Sequence, residues 1–124
     1  MNRIHWMLQF ILLISLGLTA SARAQTPDAR LYVITHVDIT PNNTAEGKKL
    51  LQQYAADTRQ DAGLARVELL DYKSRPNHFA IVEVWKDSKA FDSHEAADHT
   101  KKFREKLAPF LGSPYDERLF SLVN

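Results

Sequence analysis

Two histidines five positions apart, His94 and His99, are the strongest candidates for chemistry in this sequence. An imidazole changes charge near neutral pH, so a histidine can take a proton from a bound molecule. Aromatic residues flank the pair, with Trp85 and Phe91 before it and Phe103 after it. The stretch from Trp85 to Phe103 is therefore the most informative part of the chain.

Each of these residues also has a purely structural interpretation. Trp85 ends a predicted strand and could belong to the core, and His94 could close a turn between two helices by donating a hydrogen bond to a backbone carbonyl. His99 shares helical spacing with Phe103 and could simply be packed against it. Glu83 could pair with a Lys or Arg side chain, or it could polarise a histidine. The sequence alone leaves these alternatives open.

The spacing of the histidines bears on metal binding. Residues five apart on a continuous helix point in different directions, whereas a break near Ala96 would bring His94 and His99 together. No set of His, Asp and Glu residues has a spacing typical of a metal site, so we expect no metal. The chain has no cysteine, which excludes thiolate catalysis, iron–sulfur clusters, Cys-ligated zinc and disulfides.

The elements that must position these residues alternate between strand and helix patterns. Residues 31–39 place odd-numbered side chains on one face of a strand and even-numbered ones on the other. Gly63 suits a helix end in the left-handed conformation, and Asp87 or Ser88 suits a helix start. We predict strands over Leu31–Ile39, Leu64–Tyr72, His78–Trp85 and Tyr115–Val123, and helices over Thr44–Asp61, Lys89–His94 and Asp98–Leu111.

This element order, β-α-β-β-α-β, predicts an α+β, ferredoxin-like domain with an antiparallel sheet. Helices cover one face of the sheet and leave the other without cover. That second face carries apolar residues, and a domain of this size is only marginally stable alone. A homodimer with the two sheets face to face would bury the open face.

The first 24 residues have the organisation of a secretory signal peptide. Arg3 gives a positive start, Met7–Ala20 is almost wholly apolar, and Ala22-Arg23-Ala24 supplies the small residues of a cleavage site. The apolar stretch is shorter than the roughly 20 residues that span a bilayer. We therefore expect cleavage, with one domain over residues 25–124 that is periplasmic or secreted and has no membrane anchor.

The charge of the predicted mature chain argues against nucleic acid as a partner. The whole chain has 16 basic and 15 acidic residues, and removal of Arg3 and Arg23 leaves 14 basic against 15 acidic. The net charge thus changes from +1 to −1. No basic excess remains to hold a phosphate backbone.

The segment between residues 79 and 111 resembles the signature of the antibiotic biosynthesis monooxygenase family. In that family a strand ends in Glu-x-Trp, a short helix carries an apolar residue and a His, and a second His and an aromatic residue follow. The element order of the whole predicted domain is similar to the family's as well. The matching residues here are Glu83, Trp85, Phe91, His94, His99 and Phe103.

The resemblance implies a dimeric α/β barrel and an oxygenase that needs no cofactor. A substrate such as a quinol, once deprotonated, itself gives electrons to molecular oxygen. On this basis His94 is the expected catalytic base. The other expected pocket residues are Trp85, Phe91, His99, Phe103 and Arg104, the last of which would hold an anionic oxygen.

Among the family's branches, the chain is most similar to the quinol-oxidising members. Anthrone-type members carry an asparagine where this chain has Ile81 or its neighbours, and a tyrosine where it has Phe91. Haem-degrading relatives carry a tryptophan at the position of His94 and a haem-ligating histidine near Arg104, and neither residue is present here. The alternative to an enzyme is a non-catalytic ligand-binding or stress-related dimer with the same fold.

Overall fold

The computed structural model describes residues 28–123, so the predicted signal peptide lies outside the described residues. Short 3₁₀ turns at Pro41–Asn43 and Ala108–Phe110 supplement the main elements. The strands and helices are β1 (Leu31–Asp38), α1 (Thr44–Thr58), β2 (Leu64–Asp71), β3 (His78–Trp85), α2 (Ser88–Ala96), α3 (Asp98–Leu107) and β4 (Asp116–Phe120).

The four strands form one antiparallel sheet in the order β2-β3-β1-β4, with the helices on one face. The predicted α+β, ferredoxin-like arrangement is thereby confirmed, with the second helical block divided into α2 and α3. The sheet does not close on itself, because β2 and β4 are its free edges. Within residues 28–123, no helix is both long and apolar enough to cross a membrane.

The predicted alternation of β1 determines which face of the sheet is buried. Val33, Thr35 and Val37 are buried beneath the helices, while Ile34 and His36 on the other face are less covered. The helical face of β3 is equally well packed, and it contributes a buried carboxylate among its apolar neighbours. The buried residues on this face are Phe79, Ile81, Glu83 and Trp85, and Val84 is buried on the opposite face.

Helices α1 and α3 close the core over this face. Leu51 and Tyr54 of α1 are buried, and Phe103 and Leu107 of α3 pack in the same cluster. The rings of Tyr54 and Phe103 stack with their centroids 4.2 Å apart. Burial of large apolar side chains is the main stabilising contribution in such a cluster, at about 25 cal/mol per Å² of apolar surface.

The predicted cap of α2 is confirmed, whereas α1 ends at Thr58, three residues before its predicted end at Asp61, and Gly63 lies in the turn that follows. The backbone N–H of Ala90 donates to Asp87 Oδ1 at 2.8 Å, which caps α2. Gly63 has a φ of 81°, the left-handed conformation in which glycine is favoured. The structure ends α3 at Leu107, four residues before the predicted end, because Pro109 has no N–H to continue the helix and a 3₁₀ turn follows.

Candidate functional site

A break in the chain at Ala97 brings the two histidines of the sequence signature together. Helix α2 ends at Ala96, Ala97 is extended with φ −68° and ψ 144°, and α3 starts at the next residue. The rings of His94 and His99 consequently lie with their centroids 5.5 Å apart. Five-residue spacing would separate them on a continuous helix, so the break creates the pair.

Asp61 lies between the two imidazoles and contacts both. Its Oδ2 is 2.7 Å from Nδ1 of His94, and its Oδ1 and Oδ2 are 2.8 and 2.9 Å from Nε2 of His99. Asp61 belongs to the turn after α1, where its N–H donates to the carbonyl of Thr58. Asp61 was not predicted as a site residue, because it lies 33 residues before His94 and no local motif connects them.

On its other side, His94 contacts a buried chain of polar groups. Nε2 of His94 is 2.8 Å from the hydroxyl of Tyr54, which donates to Oε1 of Glu83 at 2.5 Å. The indole N–H of Trp85 donates to Oε2 of the same carboxylate at 3.1 Å. Glu83 therefore acts on a histidine indirectly, through Tyr54, a residue for which no role was predicted from the sequence.

The single hydroxyl hydrogen of Tyr54 determines how the nitrogens of His94 are occupied. Because that hydrogen goes to Glu83, the hydroxyl oxygen accepts a hydrogen from Nε2 of His94. Nδ1 then faces the carboxylate of Asp61, and two lone pairs at 2.7 Å would repel each other. A hydrogen on Nδ1 or a bound cation would remove this repulsion, and the hydroxyl of Thr100 is another polar group near this nitrogen, at 3.4 Å.

Burial shapes the acidity of Tyr54. The side chain lies in the core, and burial is the main reason that the pKa of Tyr54 is raised far above its usual range. The nearby Glu83 carboxylate raises this pKa further, since a second negative charge beside it is unfavourable. Tyr54 is consequently a neutral hydrogen-bonding group that holds the His94 ring, and it does not ionise at ordinary pH.

The predicted pocket residues divide into a packed group and a group at a cleft. Trp85, Phe91 and His94 are buried together, with the Trp85 and His94 rings 4.7 Å apart, and none of the three lines a described cavity. The structural interpretation of His94, a hydrogen bond from its ring to a backbone carbonyl, is not observed. Its ring nitrogens contact Tyr54 and Asp61 instead.

His99 and Phe103 line a cleft of about 140 Å³ between α1 and α3, together with Tyr54. The sequence left open whether His99 is packed on the apolar stripe of α3, and it is only partly buried there. The buried stripe consists of Thr100, Phe103 and Leu107, and the His99 side chain is 27% exposed at its edge. Nδ1 of His99 is buried and has no hydrogen-bond partner within the described part of the chain.

Arg104, predicted to hold an anionic oxygen, is engaged elsewhere. Its Nη2 donates to Glu95 at 2.8 Å and to Glu117 at 3.0 Å, and the guanidinium lies 5.0 Å from the centroid of the Tyr115 ring. Burial opposes the charge of Arg104, but the two carboxylates outweigh it, and the pKa of Arg104 is raised. Arg104 is not among the residues that line the cleft with His99.

A larger cavity, of about 300 Å³, lies on the open face of the sheet at the ends of the strands. Its polar wall includes a second imidazole–carboxylate pair, with Nε2 of His78 3.1 Å from Oδ1 of Asp38. His36 and Tyr72 also line it. The sequence contains no signature for this cavity, so its residues were not predicted to form a site.

Comparison with known proteins relates this arrangement to a family. The model of the family "Antibiotic biosynthesis monooxygenase" matches residues 30–106. An uncharacterised protein of Synechocystis, sll1783, is 22% identical over 77% of this chain and 65% of its own length, so the match spans less than two thirds of that relative. The Bacillus subtilis protein named "Putative monooxygenase YcnE" is 26% identical over 65% of this chain and 85% of its own length.

Solved structures show the same fold. The crystal structure of PA3566 from Pseudomonas aeruginosa superposes with a TM-score of 0.73 at 18% identity, over 81% of this chain and all of the other. Identity at this level supports the fold and not a particular reaction. The family match covers β1 to nearly the end of α3, including Asp61 and both histidines. The chain belongs to the antibiotic biosynthesis monooxygenase family.

Proposed function

We propose that this protein is a monooxygenase of a small aromatic, quinol-like substrate and that it works without an organic cofactor. The family match and the relative named as a monooxygenase support an activity of this kind. The observation that carries the proposal is the contact of Asp61 with an imidazole, His99, that lines a cleft with aromatic walls. A carboxylate that holds one ring nitrogen makes the other available as a base.

The geometry favours His99 as the base in place of His94. Nε2 of His94 is engaged with Tyr54, and the ring has no exposed surface. His99 directs Nε2 to Asp61, and its Nδ1, which has no partner within residues 28–123, can accept a proton once a small movement of the cleft side chains uncovers this buried nitrogen. A substrate hydroxyl in the cleft would have to approach within about 3 Å of that nitrogen. His94 then has a positioning role, because it holds the other side of Asp61.

The walls of the cleft suit one flat ring. Tyr54 and Phe103 provide aromatic surface, and Lys102 and Lys106 contribute positive charge at the edge. A deprotonated substrate oxygen would be stabilised by such a charge, the role that the sequence analysis gave to Arg104. The cleft, at about 140 Å³, favours a single aromatic ring over a fused polycyclic substrate.

The proposed reaction balances with molecular oxygen as the only oxidant. His99 takes a phenolic proton, and the electron-rich quinolate passes electrons to oxygen. One oxygen atom forms a new carbon–oxygen bond on the ring, and the other leaves as water with two hydrogens of the substrate. A 1,4-quinol and oxygen thus give a hydroxyquinone and water. The protein supplies proton transfer, orientation and exclusion of solvent.

Oxygen uptake by the purified protein with a panel of quinols and anthrones, in the presence of a chelator, tests the proposal. We expect protein-dependent uptake with a single-ring quinol that falls by a factor on the order of 10² to 10⁴ in His99→Ala. His78→Ala is the matched control, since His78 also pairs with an aspartate. Uptake no greater than autoxidation for every substrate would refute the oxygenase. If His94→Ala abolished oxygen uptake and His99→Ala left it unchanged, His94 would be the catalytic base and His99 would not.

A second candidate function is binding of a ligand without catalysis. The cavity of about 300 Å³ on the open face is larger than the cleft and lies away from the histidine pair. Equilibrium dialysis with the same quinols and anthrones separates the two functions. Binding that depends on Tyr72 or His36, with no oxygen uptake, would favour the ligand-binding protein.

We also propose that the protein is exported as a periplasmic or secreted homodimer. The support for export is the signal-peptide pattern of residues 1–24, and the support for a dimer is the apolar open face of the sheet. Export would place the protein in an oxidising compartment. A chain without cysteine cannot form disulfides there, so its fold does not depend on the redox state of the compartment.

A further inference from the structure

We propose that Asp61, His94 and His99 form a binding site for a divalent transition-metal ion of the Zn²⁺ type. One carboxylate oxygen, one nitrogen of His94 and one nitrogen of His99 all lie within 4.8 Å of one another. The individual oxygen–nitrogen distances, 2.7 to 2.9 Å, are shorter than the roughly 3.3 Å that separates neighbouring ligands around a tetrahedral Zn²⁺. An ion placed among these atoms would need only a small outward movement of the side chains.

The hydrogen-bond arrangement of His94 gives a second, independent reason. Nε2 of His94 donates to Tyr54, whose own hydrogen goes to Glu83, so Nδ1 presents a lone pair to Asp61 unless a positive species lies between them. A proton satisfies this requirement, and so does a metal ion bound by both atoms. Histidine binds metals as a neutral imidazole, through the lone pair of one ring nitrogen. In this arrangement such a lone pair points at the carboxylate of Asp61, which is a second metal ligand.

The surroundings of His94 are those of a supported metal ligand. Ligand histidines usually donate their second N–H to a polar partner that fixes the orientation of the ring. Here the hydroxyl of Tyr54 accepts that hydrogen, and the buried carboxylate of Glu83 in turn holds Tyr54. Trp85 donates to the other oxygen of Glu83, so each member of this chain is fixed by the next.

The donor set indicates which ions the site would take. Two imidazoles and one carboxylate favour Zn²⁺, Co²⁺, Ni²⁺ or Cu²⁺ over Mg²⁺ and Ca²⁺, which prefer oxygen ligands. Three protein ligands leave at least one coordination position free. The partial exposure of the Asp61 and His99 side chains, 19% and 27%, places that position towards solvent, while His94 lies on the inner side.

Occupancy by a metal has a consequence for the proposed monooxygenase, although the metal site does not depend on that function. The ion would bind the carboxylate of Asp61 and Nε2 of His99. The contact between these two groups is the one that leaves Nδ1 of His99 available as a base. Metal-bound protein should therefore be the less active form in oxygen uptake. The same three residues would then respond to transition metals in an exported protein.

Cobalt titration of the metal-free protein tests the site without any use of activity. We expect visible absorption bands of protein-bound Co²⁺ that Zn²⁺ displaces and Mg²⁺ does not. Asp61→Asn and His99→Gln, both at partly exposed positions, should weaken Zn²⁺ binding in calorimetry by a factor on the order of 100 or more. His78→Gln removes the other imidazole–carboxylate pair and should leave this binding unchanged.

A further variant separates support of the ligand from general damage to the fold. Tyr54→Phe keeps all three ligands and should weaken Zn²⁺ binding about 10- to 100-fold, as loss of a supporting hydrogen bond does. Circular dichroism checks that each variant is folded. Absence of Co²⁺ bands, or Zn²⁺ binding that Asp61→Asn and His99→Gln leave unchanged, would overturn the metal site whatever the oxygen-uptake result.

Discussion

Oδ2 of Asp61 lies 2.7 Å from Nδ1 of His94, in the turn after α1 and in the last turn of α2 respectively. This contact joins two elements that are 33 residues apart and places a carboxylate beside a histidine with no exposed surface. Both the proposed base, His99, and the proposed metal site depend on where this contact holds Asp61. Substitutions at the residues that position Asp61 and His94 therefore test both proposals.

Removal of the Tyr54 hydroxyl should destabilise the protein although it deletes only one atom. Tyr54→Phe leaves Glu83 Oε1 and His94 Nε2 without their shared partner in a buried region. We expect the free energy of unfolding to fall by about 1–3 kcal/mol, the usual cost of an unsatisfied buried polar group. Urea denaturation measures it. Tyr72→Phe, at a residue that is 56% exposed, is the matched control and should change stability little.

The turn at Gly63 should tolerate no side chain. Its φ of 81° is unfavourable for other residues, and a Cβ there would lie 2.6 Å from the Cβ of Ala90 at the start of α2. We expect Gly63→Ala to lower the free energy of unfolding by at least about 1–2 kcal/mol and to displace Asp61, two residues earlier.

Thermal denaturation of Gly63→Ala and Gly112→Ala provides the comparison. The nearest atoms to a Cβ at Gly112 would belong to the Asp38 side chain, at 3.3 Å, and Gly112 has no positive φ. Gly112→Ala should therefore cost less stability. Equal costs for the two variants would show that the left-handed turn at Gly63 is not a determinant of stability.

How much of this site the sequence reveals depends on the distance over which each contact acts. The break near Ala96, the cap at Asp87 and the stop at Gly63 are local, so propensities and spacing predict them. Asp61 and Tyr54 reach His94 only because α1 packs beside α2 and α3 in the folded chain. No pattern in a single sequence encodes contacts across 33 or 40 residues, so the contacts of Asp61 and Tyr54 with His94 were not predicted, and an effect of Glu83 on a histidine was only one of two alternatives.

The role of each candidate residue was harder to predict than its place in a helix or strand, because the role depends on contacts with residues far away in the sequence. His94 and His99 were both recognised, but which one lines a cleft depends on the direction of α3 after Ala97. Arg104 was assigned from its type and its place in the sequence. In the folded chain Glu95 and Glu117 lie within 3.0 Å of it and engage its charge.

The ionisation of Glu117 should lower stability as the pH rises. Burial is the main reason that the pKa of Glu117 is raised, and Glu95 adds to it, while Arg104 opposes both. The folded protein therefore holds this proton more tightly than the unfolded chain does. The contribution of Glu117 to stability is fully present below its unfolded pKa, near 4.5, and is lost as the pH rises through the higher folded value.

Glu117→Gln, which imitates the protonated form, tests this sign. We expect the variant to be at least as stable as the wild type at about pH 7, with a difference that shrinks as the pH approaches 4. Melting temperatures across that range give the comparison, and Glu105→Gln, at an exposed position of α3, is the control. A variant that is less stable at neutral pH would show that the Arg104 contact outweighs burial.

The open face of the sheet should be the surface of a homodimer. Ile34 of β1 pairs with Val82 of β3 on this face, and Phe120 of β4 and Leu70 of β2 extend the apolar area. Ile34→Glu would bury a carboxylate in such an interface, beside an Arg118 that already pairs with Asp116, and should convert the dimer to a monomer.

Sedimentation velocity reads the oligomeric state directly. Gln52→Glu, at an exposed position of α1 on the far side of the molecule from the open face, adds the same charge and should leave the dimer intact. A monomeric wild type would remove the homodimer. A dimer that persists in Ile34→Glu would place the interface on another surface.

The leader at residues 1–24 should be removed during export, because its parts occur in the order that a signal peptidase reads. Expression of the full chain in a Gram-negative host should give a periplasmic product that begins at Gln25, as measured by intact mass. Ala24→Arg puts a long charged side chain at the cleavage position, which accepts only small residues, and should leave the precursor uncut. Ala29→Arg places the same side chain beyond the site and should be processed normally. A wild-type product that retains Met1–Ala24 in the membrane fraction would make this segment an anchor, and the domain would then face its substrate from the membrane surface.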